Sequence, residues 1–131
     1  MAYVKVSKVL KMADQANTAA IAFNCVDYNT VKSVITVAEE LQKPVICMLY
    51  PEHQLKYNWT NLEGFVSMVK TEAEKVKVPV AVHLDHCTDF DYIVQAIKAG
   101  FTSVMYDGSM LPLEENIRKT REVARVAHAF G

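Results

Sequence analysis

The tetrapeptide His83-Leu84-Asp85-His86 closes an apolar run, Val78-Pro-Val-Ala-Val-His-Leu-Asp-His-Cys87. Three groups able to bind a metal ion or move a proton lie within four residues, in a setting that otherwise reads as core. Side chains alternate along a strand, so His83 and Asp85 point the same way and His86 opens the following turn. Asp85 then stands beside a metal held by His86 without binding it. That is the place of a general base, close to a metal-bound substrate and free to take a proton. The structural alternative is a buried His–Asp hydrogen bond that only fastens the strand end. A catalytic divalent metal commonly takes three protein ligands and keeps one position open, so one cluster of this kind makes only part of a site.

Three other apolar runs end in polar groups. Asn24 follows Ala19–Phe23, Tyr50 closes Pro44–Tyr50, and Asp107-Gly-Ser109 follows Thr102–Tyr106. In parallel α/β proteins the chemistry gathers at the carboxyl ends of strands. Polar groups buried there without partners are costly, so a clustered set points to a site. Two of the three also have a local explanation. Asp, Gly and Ser favour turns, and an Asn amide can satisfy strand-end backbone groups. His53 in a loop and His128 on the last helix read as ordinary surface or boundary residues.

The elements that must position these groups follow from periodicity. Ser7–Gln15 reads as a short amphipathic helix broken at Asn17, and Ala19–Phe23 as a strand apolar on both faces. Asp27–Asn29 offers N-cap oxygens to a helix over 30–42, which Lys43-Pro44 ends. Pro44–Tyr50 is the second strand, and Pro51–Thr60, polar and aromatic, reads as a loop. Asn61 starts a helix reaching Lys77, and Val78–Asp85 is the third strand. Thr88 caps the next helix, with Asp91 completing a capping box and Gly100 as a left-handed C-cap. Thr102–Tyr106 is the fourth strand and Leu113–Ala129 the last helix. Alternating strands and helices imply a parallel sheet with right-handed crossovers. An open doubly wound sheet and half of a (β/α)8 barrel both fit. The first strand ends in Phe23-Asn-Cys-Val-Asp27, without the glycine loop of the doubly wound fold, which favours the barrel.

Composition bounds the rest. The 131 residues, 51% of them hydrophobic and 22% charged with net charge −1, suit one domain with a core. Near-neutral charge gives no electrostatic footprint for nucleic acid. No apolar run approaches the ~20 residues that span a bilayer, and no signal peptide is read at the amino terminus. Cys25, Cys47 and Cys87 are odd in number and lie in or beside apolar strands, as reduced thiols of a cytoplasmic protein do.

The segment from Ala81 to His128 resembles the zinc-dependent (class II) fructose-bisphosphate and tagatose-bisphosphate aldolases. The likeness is carried by His-Leu-Asp-His, by Ala99-Gly-Phe-Thr-Ser-Val-Met105, and by Asp107-Gly-Ser with Leu111-Pro-Leu-Glu-Glu-Asn116. Ala22-Phe23-Asn24 and Lys43-Pro44-Val45-Ile46 fit the same pattern. The resemblance implies that residues 1–131 are a single partial domain, the first four βα units of a (β/α)8 barrel preceded by a helix. It implies reversible aldol cleavage of fructose or tagatose 1,6-bisphosphate to dihydroxyacetone phosphate and glyceraldehyde 3-phosphate. Asp85 would be the catalytic acid/base and His86 a ligand of a catalytic Zn2+. Asp107 would belong to a second or alternative divalent metal site, and Asn24 and Tyr50 would touch substrate. The remaining zinc histidines and phosphate loops would lie beyond Gly131. The expected partners are a sugar bisphosphate and further copies in a homo-oligomer, with no nucleic acid and no membrane. No lysine falls within an apolar strand, as a Schiff-base mechanism would require.

Three departures stand against the family pattern. Tyr50 replaces a serine that touches substrate phosphate, Pro51-Glu-His-Gln replaces a glycine-containing loop, and Val26 and Asp27 stand where paired asparagines are expected. They leave room for a non-catalytic paralogue or partner subunit. The chain alone is expected to bind zinc weakly, to expose the edges of its first and fourth strands, to associate through them, and to turn over no substrate.

Overall fold

The computed structural model describes residues 2–131. Ten elements follow one another: α1 (Val6–Gln15), β1 (Ala22–Asn24), α2 (Tyr28–Glu40), β2 (Val45–Leu49), α3 (Pro51–Tyr57), α4 (Leu62–Ala73), β3 (Val80–Cys87), α5 (Phe90–Ala99), β4 (Val104–Tyr106) and α6 (Leu113–Ala129). The strands form one sheet in the order β1-β2-β3-β4, and all three pairings are parallel. A doubly wound sheet reverses direction at a switch point. Here no reversal occurs, and the sequential order is that of half a (β/α)8 barrel.

The two faces of the sheet are dressed differently. Val45, Cys47 and Leu49 on β2 and Val80, Val82 and Leu84 on β3 point to the helical layer, where they meet Val31 and Ile35 of α2, Phe65 and Val69 of α4 and Ile93 of α5. The opposite, barrel-interior face carries Ala22, Ile46 and Ala81, which α1 covers with Val6 and Val9. Alternation then places Asn24, Met48, His83 and Asp85 on that same interior face, nearer the carboxyl ends. α1 closes the amino end of the interior, so the open end is the one where the polar groups stand. All three cysteines are buried free thiols.

Several boundaries differ from the sequence reading, each for a local reason. Asp27 alone caps α2, in a capping box with Thr30, so that helix starts two residues early. Asp89, not Thr88, caps α5 by accepting from the Tyr92 backbone N–H at 3.1 Å. The α4 helix stops at Ala73, short of Lys77. The larger correction falls on 51–60, which is not a loop. Pro51 supplies the first helical residue, Glu52 occupies the first turn and Lys56 the last, and Asn58 ends α3 in the left-handed region at φ 43°. Its one fully buried polar side chain, Gln54, donates to the Thr60 carbonyl at 2.5 Å and accepts from the Tyr92 hydroxyl at 2.8 Å. A polar, aromatic stretch has no apolar stripe to announce a helix; this one is held by a buried amide.

Between α2 and α4, the buried Glu72 accepts from Tyr28 Oη and Lys75 Nζ, both at 2.6 Å. The Lys75 ammonium first, and the Tyr28 hydroxyl second, hold its carboxyl below the ordinary 4.5. A carboxyl depressed in the folded chain contributes stability that is complete above its unfolded value and is lost as pH falls through the folded one. Glu72→Gln is therefore expected to flatten the acid limb below pH 4.5 in a profile of Tm against pH.

The sheet ends without partners at β1 and β4. Beside β1 an apolar groove of about 570 Å³ opens between α1, the β1 edge and α2, lined by Ile21, Phe23, Val37 and Leu41 among others. Beyond β4, Leu113, Ile117 and Phe130 are exposed.

Candidate active site

Asp85 and His86 are adjacent, and on a regular strand adjacent side chains point to opposite faces. The ladder between β3 and β4 explains why these two do not. Leu84 pairs with Val104 and Cys87 with Tyr106, so β3 spends three residues where β4 spends two. The extra residue is a bulge, and His86 sits in it with φ 43°. A non-glycine residue in the left-handed region is uncommon and costs on the order of 1–2 kcal/mol. The distortion turns the His86 ring back beside Asp85, leaving Nε2 3.9 Å from Asp85 Oδ1. His86 therefore belongs to the strand and not to the turn after it.

A chain of contacts crosses all four strand ends. Asn24 Nδ2 donates to Asp85 Oδ2 at 3.0 Å. His86 Nδ1 meets Asp107 Oδ2 at 2.8 Å, and Asp107 Oδ1 accepts from the Ser109 backbone N–H at 3.0 Å. The Tyr50 ring, at the N-cap of α3, stands edge-on to His86 with centroids 6.3 Å apart. Ser109 and then His86 pull the Asp107 carboxyl down to about 2. In return Asp107, with Asp85 adding, raises the His86 imidazole. One layer below, His83 Nδ1 meets Ser103 Oγ at 2.8 Å, and burial pushes its pKa down. His83 is thus a neutral interior group, while half-exposed His86 faces the open end.

The structure thus gathers Asn24, Asp85, His86 and Asp107 into one contact chain and puts Tyr50 at its border. Two contributors were not singled out from the sequence. Ser103 holds His83. His53, read as a surface loop residue, lies on α3 with its ring 4.8 Å from Tyr50 and its Nδ1 buried without a partner. The i, i+3 spacing of Tyr50 and His53 behind a helix-starting proline was the available signal.

Fit to a metal ion follows from which nitrogen is free. With Nδ1–H donated to Asp107, the imidazole is held in the tautomer whose Nε2 lone pair is bare, as in carboxylate–histidine–zinc arrangements. Among the described residues no group of three His, Cys, Asp or Glu side chains converges. These residues suit one ligand and its orienting carboxylate, not a whole metal site.

The family profile described as "Fructose-bisphosphate aldolase class-II" matches residues 4–131. The chain belongs to the class II fructose-bisphosphate aldolase family. Within the family, the sulfofructosephosphate aldolase of Alkalicoccus urumqiensis is 36% identical over 131 residues, covering 100% of this chain and 45% of its own length. The fructose-bisphosphate aldolase of Thermus caldophilus is 37% identical over 124 residues, covering 95% and 39%. The crystal structure of the YdjI aldolase from Escherichia coli K12 superposes with a TM-score of 0.87 at 31% identity, over 98% of this chain and 48% of that one. The chain thus spans less than half the length of these relatives, and its architecture matches the corresponding part of the solved aldolase.

The turn that presents Asp107 is tightly packed. A Cβ at Gly108 would run into the Asn116 side chain of α6 and lie 3.0 Å from the Tyr106 ring. Gly108→Ala is expected to cost about 1–3 kcal/mol by overpacking and to loosen the Asp107–His86 contact, read as a lower Tm together with a lower His86 pKa by NMR titration. No helix among the described residues is long and apolar enough to cross a membrane.

Proposed function

We propose that this chain supplies the amino-terminal half of a zinc-dependent aldolase barrel, one that cleaves a phosphorylated ketose to dihydroxyacetone phosphate and an aldehyde and runs the reverse condensation. The observation that carries this reading is the bulge at His86, which brings an imidazole with a free Nε2 and a separate carboxylate to one open strand end. Fructose and tagatose 1,6-bisphosphate are the substrates implied by the resemblance. The relatives named for fructose bisphosphate and for sulfofructose phosphate share a phosphorylated ketose.

The roles divide by contact. Asp85 carries the proton: in cleavage its carboxylate takes the hydroxyl proton from the carbon beside the breaking C–C bond, and in condensation it returns it. Asn24 holds one Asp85 oxygen at 3.0 Å and leaves the other to face the substrate. His86 would ligate zinc through Nε2, and Asp107, which the resemblance assigns to a second or alternative metal site, would fix the His86 tautomer through its contact with Nδ1. When bound, zinc supplies Lewis acidity that polarises the ketone oxygen. Tyr50, edge-on to His86 with centroids 6.3 Å apart, would touch substrate there. The uncovered edges of β1 and β4 are where the barrel's other strands would pair, and residues 1–131 are then one partial domain of a cytoplasmic homo-oligomer.

The test is cleavage of fructose and tagatose bisphosphates by the assembled barrel containing this chain, followed by coupled reduction of dihydroxyacetone phosphate. Turnover that vanishes with a chelator and returns with Zn2+ is expected. Turnover indifferent to chelator, or trapped by borohydride as a lysine adduct, contradicts the reading. The non-catalytic alternative draws on the altered 47–54 segment. It predicts zinc binding with no turnover on any ketose phosphate.

A further inference from the structure

Among the described residues, the segments that lead from the strand ends to the next helices hold no lysine or arginine. Those segments are Cys25–Asp27, Tyr50, Thr88–Asp89 and Asp107–Pro112. They contain Asp27, Asp89 and Asp107 instead. Each of the four helices that follow a strand already has a carboxylate at its amino end. Asp27 caps α2, Glu52 sits in the first turn of α3, Asp89 caps α5 with Asp91 behind it, and Glu114 and Glu115 open α6. A helix N-terminus attracts phosphate because its N–H groups are unpaired and its dipole end is positive. Here those ends are complemented by the chain's own acids.

Tyr50 faces this rim in a fixed position. Its ring packs edge-on against His53 at 4.8 Å and toward His86 at 6.3 Å. The underlying α3 is pinned by Gln54 to Thr60 and Tyr92. The Glu52 carboxylate engages the Tyr50 hydroxyl, and the Asp107 and Asp85 carboxylates stand near it, so the wall sets negative charge beside a bulky ring. Lys56, the one cation of α3, is directed over the Tyr57 ring at 5.4 Å. A phosphate dianion brought to this wall meets carboxylates and a bulky ring, whereas an uncharged hydroxyl is not repelled and can donate to those oxygens.

We propose that the Tyr50–His53 wall determines specificity by excluding a phosphate, so that the aldehyde half of the substrate ends in an uncharged hydroxyl and the substrate is a ketose 1-phosphate. This rests on the aldolase reading above. The dihydroxyacetone phosphate half keeps its phosphate, which residues outside this chain must hold. In condensation the carbon beside the carbonyl of that half loses a proton to a base of the remaining half of the barrel, its electron pair forms the C–C bond to the carbonyl carbon of an unphosphorylated hydroxyaldehyde, and Asp85 gives its proton to the former aldehyde oxygen.

The experiment compares two aldehydes, glyceraldehyde and glyceraldehyde 3-phosphate, in zinc-dependent condensation with dihydroxyacetone phosphate by the assembled barrel. A kcat/KM at least tenfold higher for glyceraldehyde is expected. In the double variant Tyr50→Ser, Glu52→Gly the ratio should move at least tenfold toward the phosphorylated aldehyde. Preference for glyceraldehyde 3-phosphate by the unmodified enzyme overturns the proposal and leaves the aldolase reading intact. Condensation of neither aldehyde overturns both. An unchanged ratio in the folded double variant overturns the assignment to this wall, and the comparison on unmodified enzyme decides alone if the variant does not fold.

Discussion

Asp85→Asn is expected to lower kcat of the assembled enzyme by about 10²–10⁴-fold, the range of a lost general acid–base, while zinc content stays unchanged. The substitution keeps shape and removes only the ability to hold a proton. Asn24 still finds an oxygen to donate to, because the amide carbonyl can take the place of the Oδ2 that accepts at 3.0 Å. His86 is held from its other side by Asp107 at 2.8 Å, so the ligand does not depend on Asp85 for its orientation. A proton-transfer group acts on the transition state more than on substrate binding, so the loss should fall on kcat with KM nearly constant. Metal analysis of the purified variant, alongside its kinetics, checks both halves of the expectation. A variant that loses zinc together with activity would make Asp85 a ligand.

His86→Ala is expected to remove zinc and reduce turnover to background. No second imidazole on this chain can substitute. Half-buried His83 lies one layer below and is bound to Ser103, His53 lies behind Tyr50, and His128 is in the last turn of α6. The stability effect separates function from folding. At φ 43° a side chain with a Cβ is disfavoured, so His86→Gly should be more stable than His86→Ala by about 1 kcal/mol, although both lose the same Asp107 contact. Thermal melts of the pair read this directly. Equal stabilities would mean that the bulge imposes no strain. Asp107→Asn should be milder than either, with zinc affinity falling about 10–100-fold as for other lost orienting carboxylates.

The strands and the barrel order were legible because their signals are local and redundant. Short apolar runs such as Val80–Val82 suit a sheet buried on both faces, and the want of a glycine loop after Phe23 favours the barrel. The residues of the contact chain were legible for the same reason, as polar groups that interrupt such runs. Geometry at His86 was not. A one-residue bulge depends on the register between β3 and β4, which two strands settle together and neither announces alone. The α3 helix was also hidden. Its anchor, Gln54, is polar, and its binding to Thr60 and Tyr92 exists only in the folded chain. With α3 missed, His53 appeared to be a loop residue, and the wall it forms with Tyr50 could not be read.

The nitrogen chemistry of His86 tests the central claim most directly. Long-range ¹H–¹⁵N NMR of this chain, at a pH above the raised His86 value and during titration with Zn2+, reports the tautomer and the ligating atom together. The account predicts Nδ1 protonated toward Asp107 and a bare Nε2 whose resonance moves as zinc is added. Zinc shifts confined to His53, His83 or His128, with the His86 ring unmoved, would contradict it.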